Sequence, residues 1–112
     1  MIRQFSFAVL ALLLTTSPAA AQRPVSVDLE LSFVVDASGS IDQEEIQLQR
    51  QGYADALTNP QVQRAIASGF LRSIAVTYIE FAADQCVWQW LDWTKISDIP
   101  SARAAGARIM AA

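Results

Sequence analysis

The chain has 112 residues, a formal net charge of −3, a single cysteine and no histidine. Without histidine there is no Ser-His-Asp triad, no Cys-His pair and no imidazole-bearing zinc site, and one thiol cannot form an internal disulfide. An acidic balance with no basic cluster argues against nucleic acid or an anionic membrane as partner, and a hydrophobic content of 53% argues against disorder.

The first element in the chain is a targeting segment. Arg3 supplies a charged start, Phe5 to Leu14 is apolar apart from Ser6, and Pro18 precedes Ala19-Ala20-Ala21. This order predicts a signal peptide over residues 1–21, cleaved before Gln22, and a periplasmic or secreted product. The apolar run is about half the roughly 20 residues that span a bilayer, so no membrane insertion is expected after cleavage. Removal of this segment leaves roughly 90 residues, near the low end for a domain with its own core.

Residues 22–26 read as an exposed lead containing Pro24. Val27, Leu29, Leu31 and Phe33 then alternate with Asp28, Glu30 and Ser32, a period of two that predicts a strand. Phe33-Val34-Val35 is apolar on both faces, as in a strand covered on two sides. It ends on the polar loop Asp36-Ala37-Ser38-Gly39-Ser40. A helix is predicted from Ile41 to about Thr58, with Ser40 as its cap and Glu44 and Glu45 in its first turns. Its core stripe is expected along Ile41, Leu48, Gly52 and Ala56, widened by Ile46, Tyr53 and Leu57.

Asn59-Pro60 ends that helix and starts a short second one, with Asn59 as cap and Pro60 at the first helical position. Ile74 to Phe81 predicts a second strand. Ala82-Ala83-Asp84-Gln85 is a polar connector, after which Val87, Gln89 and Leu91 alternate with Trp88, Trp90 and Asp92 in a third strand, forming a hairpin. Ile99-Pro100 opens a final helix towards Met110. The order strand, helix, strand, strand, helix predicts an α/β fold with a parallel first pair. Doubly wound domains usually need on the order of 100 to 200 residues, so the expected sheet is an incomplete, Rossmann-like one with flanking helices.

The segment with the most chemistry is Asp36-x-Ser38-x-Ser40, delivered to the carboxyl end of a strand just before a helix, where open α/β sheets bind ligands. One carboxylate and two hydroxyls on alternate residues can face a common centre and suit Mg²⁺ or Mn²⁺. The same residues also suit an Asx-type turn that caps the helix. Phe33-Val34-Val35-Asp36-Ala37-Ser38-Gly39-Ser40-Ile41 resembles the first motif of von Willebrand factor A domains. Gln49 to Tyr53 and Ile74 to Tyr78 look like an uncharacterised family of exported bacterial proteins of that class.

The resemblance covers roughly residues 27 to 110, and makes 27–112 the amino-terminal part of such a domain. It implies that Asp36, Ser38 and Ser40 ligate the ion directly or through water, completing a metal-ion-dependent adhesion site with a Thr and an Asp from later loops. Those loops are absent from this sequence, so ion binding is expected to be weak. The function it implies is a non-enzymatic binding module that receives a carboxylate from a protein ligand. Two alternatives stand beside it: a truncated or degenerate fragment without independent function, and a Mg²⁺-dependent phosphohydrolase of haloacid dehalogenase type. In the latter, Ser38 holds the place of the second aspartate.

Other polar and aromatic residues receive structural expectations. Thr77 and Thr94 are expected to be structural, Glu80 and Asp84 to lie at a solvated hairpin end, with approach to the ion as the alternative, and Trp88, Trp90 and Trp93 to pack against the last helix, with a sugar-binding or partner surface as the alternative. Cys86 is expected to be a small buried hydrophobe, an intermolecular bridge being the alternative.

Overall fold

A computed structural model of the chain describes residues 23–83 and 85–112; the expected signal peptide and Asp84 lie outside the described residues. Strand β1 (Leu29–Asp36) leads to helices α1 (Gln43–Thr58) and α2 (Pro60–Ser68), then to β2 (Ile74–Phe81), β3 (Val87–Ile96) and α3 (Ile99–Met110). The sheet order is β1-β2-β3. β1 and β2 run parallel in one register, from Leu29 beside Ile74 to Asp36 beside Phe81, and β2 and β3 form an antiparallel hairpin. The fold is mixed α/β, and this arrangement matches part of a Rossmann-like sheet.

Each helix starts where its cap dictates. Asp42 accepts from the Glu45 amide at 2.9 Å while the Glu45 carboxylate accepts from the Asp42 amide at 3.0 Å. This reciprocal pair satisfies two otherwise orphaned donors, and it moves the α1 start to Gln43, with Asp42 rather than Ser40 as cap. Asn59 caps α2 ahead of Pro60, as the sequence implies. Asp98 caps α3 through the Ser101 amide at 2.8 Å.

All three helices pack on one face of the sheet. Leu31, Phe33 and Val35 of β1 and Ile74, Val76 and Tyr78 of β2 meet Leu57 of α1, Ile66 of α2, and Ala102, Ala105 and Ile109 of α3. Tyr53 sits between Phe33 and Tyr78, with ring centroids 4.7 Å and 5.4 Å away. Each fully buried aliphatic side chain contributes about 1.5–3 kcal/mol by leaving water. The buried stripe of α1 is Ile46, Arg50 and Leu57 with Tyr53 half-buried. Leu48, Gly52 and Ala56 face solvent instead, Leu48 being 66% exposed.

The opposite face of the sheet carries no helix among the described residues. Ser32, Val34, Phe81, Val87 and Trp93 are exposed there and Ile79 is half-buried. Among the described residues β1, an edge strand, and β2, the central one, are therefore covered by helices on one side, not two. A second tie holds the amino-terminal ends of β1 and β2. The Asp28 carboxylate accepts from the amides of Leu71 and Ser73, and Gly69 approaches it so closely that a β-carbon there would collide with it.

Candidate metal centre at the end of β1

β1 projects Asp36 from its carboxyl end, level with Phe81 of β2. The Ala37 amide donates to the Phe81 carbonyl at 2.7 Å, so the ladder continues one residue beyond the strand. The loop then folds back. Asp36 Oδ1 accepts from the Ser38 amide at 2.8 Å and from the Ser38 hydroxyl, and the Ile41 amide donates to the Ser38 carbonyl at 2.9 Å.

These bonds form the Asx-type turn that the residue types suit, and they bring the Asp36 carboxylate and the Ser38 hydroxyl into contact. Ser40 lies exposed on the same loop, without a side-chain hydrogen bond to either among the described residues. Asp36 is exposed, and the Ser38 hydroxyl followed by the Ser38 amide holds its carboxyl below the ordinary value of 3.8. It is therefore ionised at neutral pH. No cluster of three or more acidic, histidine or cysteine residues occurs among the described residues. The donor set is one carboxylate with neutral hydroxyls, a composition that fits a hard cation held with several waters.

Several neighbouring residues stand where the sequence did not place them. Glu80 is not at a solvated hairpin end: it is 2% exposed and pairs with Arg50 of α1 through bonds of 2.7 and 2.8 Å. Tyr78 donates to its Oε1 at 3.1 Å and the Trp90 indole to its Oε2 at 2.9 Å. The hydrogen bonds from Arg50 outweigh burial and hold the Glu80 carboxyl below its usual range. Burial, reinforced by the Glu80 charge, drives the Tyr78 hydroxyl upward.

Trp93 does not pack against α3, because it lies on the face of the sheet away from the helices, near Arg23 and Lys95. Trp88 and Trp90 flank the first turns of α1. β3 spends two extra residues against β2, and these irregularities turn both Trp90 and Leu91 towards the helices. Cys86 is exposed at the hairpin, not buried. Thr77 is buried; its hydroxyl donates to the Leu91 carbonyl at 2.7 Å and accepts from Gln89 at 3.0 Å. Thr94 donates to the Asp92 carbonyl.

The signal for Arg50 was present in the sequence: it lies four residues after Ile46 and three before Tyr53, on the buried stripe. Its charge disguised it. A cleft of about 410 Å³ opens between α1 and the start of β3, beside the Asp36 loop, with Arg50 and Glu80 in its lining.

A family model described as a protein of unknown function, DUF1194, matches residues 26–112. The chain belongs to the DUF1194 family. The match contains every described element from β1 to α3, and with them the Asp36 loop, the Arg50 and Glu80 pair and the tryptophan-lined cleft. No curated protein and no solved structure matches the chain.

Proposed function

We propose that this DUF1194 chain is an exported, von Willebrand factor A-like binding module without enzymatic activity, in which Asp36, Ser38 and Ser40 hold Mg²⁺ or Mn²⁺. The observation that supports it is the placement of an ionised carboxylate and an adjoining hydroxyl just beyond the carboxyl end of a parallel strand, where open α/β sheets bind ligands. The described residues supply one negative charge, so the ion keeps most of its waters and remains electrophilic. A carboxylate on a protein partner replaces one water and supplies a second charge. Hydroxyls and water are similar donors, so nearly all the attraction rests on Asp36.

Calorimetry of the exported chain, beginning at Gln22, tests this directly. Weak Mg²⁺ and Mn²⁺ binding should disappear in Asp36→Ala, and acidic peptides should bind only when the ion is present. Asp36 is exposed, so the variant keeps its fold and its circular dichroism spectrum. Ion binding that survives Asp36→Ala would overturn the site, and exported material that retains Met1 would overturn the cleaved leader.

A further inference from the structure

The cleft beside the Asp36 loop has a chemistry of its own. Trp88 and Trp90 form one wall and are 41% and 39% exposed, leaving much of each indole open to a ligand. Trp90 is held in place by its hydrogen bond to Glu80, and Ile41, Asp42 and Ile46 line the cleft from the start of α1 and the loop before it. Arg50 and Glu80 cancel each other in a two-point ion pair. Asp42, whose carboxylate caps α1 through the Glu45 amide and has no ion-pair partner among the described residues, is therefore the remaining formal charge of the lining.

We infer that this cleft takes the side chain of a lysine or arginine from a partner protein. Two indole faces and a carboxylate suit an organic cation, since the ring quadrupole attracts positive charge and the alkyl stem packs on Ile41 and Ile46. The charge of the cleft, within a chain of net charge −3, is complementary to such a group. The exposure of both indoles shows the cleft to be open, which favours a side chain carried on a larger surface over a free small cation that would stay half hydrated.

The inference is independent of the metal site, and the test is run with a chelator so that failure of one reading leaves the other standing. The full exported chain is titrated with a short neutral-capped peptide containing lysine, and the three indole N–H signals are followed by NMR. The Trp88 and Trp90 signals shift with saturation and the Trp93 signal stays still. A peptide with norleucine in place of lysine binds about tenfold more weakly or not at all, as loss of a cation–π contact implies. Trp88→Ala, at a surface position, reduces affinity by a similar factor. Asp42→Ser keeps a capping oxygen while removing the charge, and weakens binding several-fold, with the helix content unchanged. Equal binding of the norleucine peptide, or unaltered affinity in Trp88→Ala, would overturn the inference. Tetramethylammonium binding more tightly than the peptide would overturn the partner side chain as occupant.

Discussion

Glu80 accepts four hydrogen bonds, two from Arg50 and one each from Tyr78 and Trp90, in a setting where a bare charge would be expensive. Removing one partner leaves the other buried and unsatisfied, which costs roughly 3–5 kcal/mol, whereas replacing both with apolar groups can be nearly neutral. Arg50→Met should thus lose most of that amount in urea denaturation, and Arg50→Met combined with Glu80→Leu should recover a large part. The pair also sets an acid limit. The Glu80 carboxyl lies below its ordinary value of 4.5 in the folded chain, so its stabilisation is fully present above that value and fades as pH falls through the depressed one. Arg50 is raised and stays charged throughout. Stability should therefore drop below about pH 4.5 in the parent, and Arg50→Met should show a smaller drop. An identical acid profile in the two proteins would remove Glu80 as the titrating group.

α3 packs closely on α1 through Gly106. Gly106 is buried, and a β-carbon at that position would come within 3.2 Å of the Ala54 methyl. An alanine there gains about 0.8–1 kcal/mol in helix propensity against that squeeze, so Gly106→Ala should change stability by less than about 1 kcal/mol. Gly106→Leu cannot be absorbed without separating the helices and should cost roughly 1–3 kcal/mol or more. Thermal unfolding distinguishes the two. Equal stabilities would mean that the helices do not pack closely through Gly106.

At this scale the sequence was informative wherever local chemistry decides. The β2 limits, the Asn59-Pro60 boundary and the mixed α/β order follow from capping, proline geometry and alternation. It failed wherever a partner distant in the chain decides. α1 buries Ile46, Arg50, Tyr53 and Leu57 because Glu80, 30 residues beyond Arg50, makes an arginine acceptable inside. A periodicity reading rejects charge and selects Leu48. That Trp90 and Leu91 both turn towards the helices was not legible, because strict alternation along β3 cannot foresee its irregular pairing with β2. For the candidate site, Asp36 and the loop position were legible, whereas the Trp88 and Trp90 wall was not.

The whole molecule is asymmetric: every described helix lies on one face of the sheet, while the other face exposes a band in which Val34 neighbours Ile79, and Phe81 neighbours Val87. Val34 is 60% and Val87 63% exposed. Scattered exposed hydrophobes are ordinary, but a contiguous band beside the open edge of β1 drives association, because it offers both apolar area and unpaired backbone groups. The chain alone should therefore associate as its concentration rises, with the sedimentation coefficient increasing accordingly. Val34→Lys with Val87→Lys places two charges on that band without touching the helix-covered core, so it should shift the protein towards monomer and leave its thermal midpoint within a few degrees. The helix-covered face supplies an internal contrast. Leu48→Lys lies on the solvent side of α1, on the helix-covered side of the sheet, and should leave the association unchanged. A natural chain that sediments as a monomer at every concentration, or a Leu48→Lys variant that disperses it as well as the paired lysines do, would show that the bare face is not what brings copies together.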